Sequence, residues 1–325
     1  MPGATVSGMT DTPVHQAMPV GGRGPHVVVG VDGSPDSIAA LRAGERAAEA
    51  RGGTLVAVSA WSVPTVVLQA PSVFPDLEDA AVAVLHHAIE AAFHGRCSVP
   101  IDTVVQLGGA APILLEQSRD AILLVVGSRG HGGFTGLLLG SVSMACAMHA
   151  ACPVLVLHDG PVHAPGAPRR ARRVVVGVGG SADASRVLRV AAVAAATMDA
   201  ELVAVAAWEG ATMFPDAIGD FRAEFVAHAQ RDLDQEIERA FADGRPPRLT
   251  RALRQGQAAS VLLQESARAD LVVVGRSGHS ALAGMVLGSV ALPVAEHAKS
   301  PVLIVPAEAP RRRKPLPDGL RFVEA

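Results

Sequence analysis

The feature that most constrains this chain is that it contains one pattern twice. Leu123 to Val142 reads LLVVGSRGHGGFTGLLLGSV, and Leu271 to Val290 reads LVVVGRSGHSALAGMVLGSV. At an offset of 148, 11 of those 20 positions are identical. The match runs on through His149 and His297, Pro153 and Pro301, Val154 and Val302, and Leu155 and Leu303. Upstream, VVVGVDGS (Val27 to Ser34) matches VVVGVGGS (Val174 to Ser181), and Trp61 matches Trp208, at an offset of 147. One residue was therefore gained or lost between Trp61 and Gly108. A period of this length is far beyond a solenoid unit, so the repeat is a duplicated domain.

The repeat sets the boundaries. Residues 1–24 and 307–325 read as tails, 25–158 as the first domain, 159–172 as a Pro/Gly/Arg-rich linker, and 173–306 as the second domain. Within the first domain, short Val/Leu runs fall near 26–32, 54–61, 101–107, 122–127 and 153–157. Ala-rich amphipathic runs fall near 34–51, 76–94, 110–119 and 141–150. Strands such as LLVVG are apolar at every position, which implies burial on both faces and a parallel sheet between helices. The fold class is therefore α/β, with two tandem doubly wound domains.

Composition narrows the function. The formal charge of −3 supplies no general attraction to nucleic acid or acidic membranes, and the chain has 2 Trp, 8 Phe and no Tyr for base stacking. Hydrophobic residues make up 49%, yet no uninterrupted apolar stretch reaches the ~18 residues of a spanning helix. The N-terminus lacks a basic start followed by an apolar core, so no secretory signal is expected. Cys97, Cys146 and Cys152 form no C-x-x-C pair, which suits free thiols in a cytoplasmic protein. The run Arg311 to Lys314 reads as a solvated basic tail.

The chemistry concentrates in a Gly-x-x-Gly-x9-Gly-Ser loop present in both halves. In the first half these are Gly127, Gly130, Gly140 and Ser141, followed by Val142. In an open α/β sheet, ligands sit outside the carboxyl ends of the strands, and Gly127 ends such a strand. Gly127 and Gly130 can take positive φ and admit a ligand close to the backbone. Ser141 is placed at the N-cap of the next helix, whose unpaired N–H groups and dipole favour phosphate. The second half repeats the pieces as Gly275, Gly278, Gly288 and Ser289, followed by Val290. A plain turn needs none of this recurrence. Neither a P-loop lysine motif nor a dinucleotide fingerprint is present.

Other residues leave alternatives open. Asp32, at the tip of the first strand beside Gly33, either accepts hydrogen bonds from a base or sugar or caps the following helix; its counterpart is Gly179. Arg129 lies near the phosphates by position, whereas the second half carries Arg276 one place earlier. His131 and His279 either touch phosphate or cap their loops. His86, His87 and His94 share one helix, but adjacent residues point about 100° apart and those seven apart lie two turns away, so a metal site is not expected. No Ser-His-Asp or paired-carboxylate arrangement emerges, so no catalytic residue is assigned.

The stretches VVVGVDGS, GGAAPILL, GSRGHGGFTGLLLGS and HAACPVLVL resemble the universal stress protein family in its tandem, ATP-binding form. That resemblance implies a five-stranded parallel sheet of order 3-2-1-4-5 in each half. It also implies pairing through the final strands Pro153–Leu157 and Pro301–Val305. It implies ATP as ligand, with Mg2+ optional. Asp32 would meet the adenine or ribose, Ala60 the adenine edge, and Gly127, Gly130, Gly140, Ser141 and Val142 the phosphates. Ala207, Gly275, Gly278, Gly288, Ser289 and Val290 would do the same in the second half. Gly179 departs from the pattern, as does Ile122, where the second half keeps the usual Asp as Asp270; the latter reads as structural.

The expected function is a nucleotide-dependent stress-response module with at most slow ATP hydrolysis, acting as a homodimer on a regulatory protein partner. Two other classes compete. One is an adenylating pyrophosphatase-type enzyme of the same sheet order, for which Gly179-Gly180-Ser181-Ala182-Asp183 matches in part, with Val178 in place of its first Ser. The other is a nucleotide-free scaffold.

Overall fold

The computed structural model describes residues 24–63, 74–130, 139–158, 171–209, 219–244, 246, 248–277 and 287–307. The tails and most of the linker lie outside the described residues.

The first half runs β1 (His26–Gly30), α1 (Pro35–Glu49), β2 (Thr54–Trp61), α2 (Phe74–Phe93), β3 (Ile101–Leu107), α3 (Ala110–Gln117), β4 (Leu123–Gly127), α4 (Ser141–His149) and β5 (Val154–Leu157). The second half repeats it as β6 (Arg173–Gly177), α5 (Ala184–Thr197), β7 (Glu201–Trp208), α6 (Gly219–Ala240), β8 (Leu249–Gln255), α7 (Ala258–Ser266), β9 (Leu271–Gly275), α8 (Ala291–His297) and β10 (Val302–Val305). Local chemistry explains the boundaries. Ser34 caps α1 by accepting from the Ser37 amide at 3.2 Å, and Pro35 opens the helix, where its missing N–H costs nothing.

All ten strands join one sheet of order β3-β2-β1-β4-β5-β10-β9-β6-β7-β8. Each half therefore has the expected 3-2-1-4-5 order, parallel throughout. The join is antiparallel: Val154, Leu155 and Val156 of β5 pair with Ile304, Leu303 and Val302 of β10. This join removes what would otherwise be an exposed edge from each half.

The two faces of the sheet differ. On one face a single apolar cluster spans both halves, from Ile113 and Leu114 of α3 and Cys146 of α4 to Leu262 of α7 and Val294 of α8. On the other face the core divides, with α1 and α2 over the first half and α5 and α6 over the second. The helices that follow β4 and β9 therefore share a continuous core, whereas those that follow β1 and β6 do not.

The repeat is uneven at helix starts. By the repeat offsets, α5 begins two residues later than α1, and α8 two residues later than α4. At α5 the N-cap position is Asp183, which makes no side-chain capping bond. At α8 it is Val290, which has no side chain able to cap.

Candidate functional site

The site forms at the carboxyl edge of the sheet, where β1 and β4 lie side by side. The chain leaves β1 through Asp32 and Gly33. Gly33 adopts φ 84°, a left-handed conformation that a side chain disfavours, and this turns Asp32 outward. Asp32 is exposed, and its Oδ1 accepts from the Ser34 amide at 3.0 Å and the Ser34 hydroxyl at 2.6 Å. The cap of α1 is thus Ser34, and Asp32 orients it. The other carboxylate oxygen faces Gly130, where an added Cβ would lie 2.2 Å from Oδ2.

The chain leaves β4 through Gly127, Ser128, Arg129 and Gly130. Positive φ was expected at Gly127 and Gly130, but neither adopts it. The neighbour of Gly130 is the movable end of the Asp32 side chain, whereas close approach explains Gly127, where a Cβ would lie 3.1 Å from the Arg129 carbonyl and 2.6 Å from Cβ of Asp36. That contact exposes a residue the sequence reading missed. Asp36, in the first turn of α1, is buried and accepts from Ser128 Oγ at 3.2 Å and the Arg129 amide at 3.3 Å. Its sequence signal is the match of Asp36 with Asp183 at the repeat offset of 147. Three more bonds fix the loop. The Ser128 amide donates to Leu157 O at 2.6 Å, the Gly140 amide to Ser128 O at 2.7 Å, and Ser143 Oγ to Gly127 O at 2.6 Å.

The N-cap of α4 is Gly140, not Ser141, because Gly140 is the residue with extended backbone (φ −69°, ψ 153°). Ser141 is the first helical residue and is exposed; Val142 is half-buried. Among the described residues no side chain caps this end. A Cβ on Gly140 would meet only Ser128 O at 3.4 Å and more distant atoms, so glycine here keeps the helix end uncovered. The first-turn N–H groups point at that opening, as helix geometry requires. Ala60 is the penultimate residue of β2, the neighbour of β1, on the same sheet edge. Arg129 is exposed beside Gly130. His131 lies outside the described residues.

In the second half Ala207, Gly275, Gly288, Ser289 and Val290 occupy the corresponding places; Gly278 and His279 lie outside the described residues. The Gly288 amide donates to Arg276 O at 2.9 Å, as Gly140 does to Ser128. The rest differs. Ser143 is replaced by Ala291, which has no hydroxyl to tie α8 to β9, and Gly288 and Ser289 lie three and two positions before the first helical residue. Asp270 accepts from the Arg173 amide at 2.7 Å and so joins β6 to the start of β9, a structural role.

The remaining candidates lie apart from this edge. His86 and His87 are exposed on α2. Among the described residues no three His, Cys, Asp or Glu side chains gather to hold a metal. The three cysteines are free; burial pushes the Cys146 thiol up to about 12 and the Cys152 thiol up to about 11. Among the described residues no helix is long and apolar enough to cross a membrane.

The sequence and the fold have known relatives. The sequence profile described as the universal stress protein family matches residues 25–158 and again 170–306. The chain belongs to the universal stress protein family. Universal stress protein Rv2623 of Mycobacterium tuberculosis is 33% identical over 287 residues, covering 86% of this chain and 95% of that protein. A universal stress protein structure from Archaeoglobus fulgidus shares the fold, with TM-score 0.57 at 18% identity over 86% of this chain and 96% of that one. A universal stress protein solved in complex with cAMP, 28% identical, covers 41% of this chain and 97% of its own at TM-score 0.32.

Proposed function

We propose that the first half is an adenine-nucleotide site, with ATP as its ligand, and that the chain works as a nucleotide-dependent regulatory module. The observation that carries this reading is the Asp32 carboxylate facing Gly130 at the end of β4, with the N-terminus of α4, which no described side chain caps, at the same sheet edge. An exposed acceptor at one end suits a ribose hydroxyl or adenine amine. An uncapped helix end, positive by its dipole, suits phosphate oxygens at the other. Gly140, Ser141 and Val142 would hold the phosphates, Gly127 and Gly130 would let them approach, and Ala60 would meet the base through its backbone. Bound ATP would supply charge and bulk at this edge. The protein's part is to orient it, and among the described residues no side chain is assigned as a general base for hydrolysis.

The second half keeps its glycines but lacks the carboxylate at Gly179, and its α8 begins two residues late. It is therefore the weaker site. The module reading also implies a cytoplasmic protein that acts through a protein partner, assembled as a homodimer.

The test is direct. Purified protein is denatured and its released small molecules are weighed by mass spectrometry, and thermal shift is measured with ATP, with and without Mg2+. Released adenine nucleotide, or stabilisation by ATP that Asp32→Ala or Gly140→Val abolishes, supports the reading. Neither release nor stabilisation favours a nucleotide-free scaffold, and pyrophosphate release with ATP and a nucleophile favours an adenylating enzyme.

A further inference from the structure

The halves are linked by more than their paired strands. His158, which follows β5, places Nε2 2.7 Å from the carbonyl of Ala295 in the last turn of α8. Arg276, which follows β9, donates from Nη1 to the carbonyl of Ala150 at 2.9 Å. Ala150 is the C-cap of α4, the helix whose opposite end opens onto the first-half site. The shared core beneath α4 and α8 brings these groups within reach.

The first-half counterpart of Arg276 is Ser128, whose short side chain turns inward to Asp36. At one position of the repeat, therefore, an inward brace has been exchanged for an arm across the interface. Arg276 is half-buried, with Arg186 and Asp183 nearby; burial and Arg186 hold its guanidinium below the usual range while Asp183 opposes them. Arg186 itself donates to Pro306 O at 2.9 Å. A guanidinium stays charged at neutral pH, so α4 ends on a cation.

We infer that Arg276 of the second half is a positioning residue for the nucleotide site of the first half, acting through α4. This rests on the nucleotide reading above. Two physical effects combine. α4 has 9 residues, about 13 Å of rigid rod, so holding its last carbonyl limits tilt at its first turn. A cation at the C-terminal end also complements the helix dipole and stabilises the last turn of α4, which anchors the helix as a whole. The second half thereby tunes the first whether or not it holds a ligand of its own.

The experiment is hydrogen exchange by mass spectrometry on the full chain, following peptides from α4 and α1 while ATP is titrated. Reading occupancy at α4 isolates the first half. In Arg276→Ser, the residue the first half carries, α4 is expected to exchange about three- to tenfold faster without nucleotide, while α1 stays unchanged. The ATP midpoint read at α4 should rise by a similar factor. Arg276→Lys should restore most of both, and Arg276→Gln, which keeps a donor but loses the charge, should restore less. Should Arg276→Ser fail to fold, the comparison of Gln with Lys carries the test. Equal acceleration of α1 and α4 would mean general loosening and would overturn the inference. ATP that leaves wild-type α4 unprotected defeats the nucleotide reading, and the positioning role with it. Protection of wild-type α4 with an unchanged midpoint in the variants defeats the positioning role alone.

Discussion

Replacing Asp36 by Ala removes the buried carboxylate oxygen that accepts from Ser128 Oγ and the Arg129 amide. Hydrogen bonds to a charged group contribute about 1.5–3 kcal/mol each. These two, at 3.2 and 3.3 Å, are long and share one oxygen, so they do not add in full. Losing an acidic residue from the first turn of α1 adds roughly 0.5 kcal/mol. The expected total is about 3 kcal/mol. Trp61 and Trp208 report one half each, so urea unfolding of a Trp208→Phe background follows the first half by Trp61 fluorescence. With a slope of about 1.5 kcal/mol per molar urea, the midpoint should fall by about 2 M. Asp36→Asn retains an acceptor oxygen and should lose about half as much. A shift under about 0.5 M for Asp36→Ala, or equal losses for Ala and Asn, would refute the brace.

Two further outcomes are expected. Ser143→Ala copies Ala291 of the second half and deletes the bond to Gly127 O; it should cost about 1 kcal/mol and speed amide exchange in the first turn of α4, measured by mass spectrometry, while leaving α8 unchanged. Burial raises the folded-state pKa of Cys146 from 9.0 to about 12, so its contribution to stability is complete below pH 9 and is lost as pH rises towards 12. At pH 10 that loss is about 1.4 kcal/mol, so Cys146→Ala should flatten the fall in urea midpoint between pH 8 and pH 10 by about 0.9 M.

The architecture was legible because it depends on local signals that the duplication states twice. Apolar runs such as Val27–Val29 and Leu124–Val126 are buried on both faces, as continuous hydrophobicity requires of parallel strands. The loop glycines were legible by spacing, but the reason for them was not. Positive φ is a local property that a sequence can suggest, whereas Asp36 beneath Gly127 is a contact between residues 91 positions apart. Helix ends were close but inexact. Ser141 has the residue type of an N-cap, yet extended backbone geometry falls on Gly140, because the bond from Ser143 to Gly127 O draws the first turn down onto β4.

The sequence by itself determined the duplication, the strand order through the family resemblance, and the loss of a carboxylate at Gly179. Each is written in residue identities or in the spacing between copies. Only the tertiary structure decided which copy is well braced and how one acts on the other. Asp36, Ser143 and Arg276 are chemically unremarkable in a list of residues. Their roles come from burial and from partners brought close by the sheet, and from the antiparallel join that sets α4 and α8 over one core. The arginine offset by one place between the two loops was visible from the outset; that it crosses to the other half was a matter of packing.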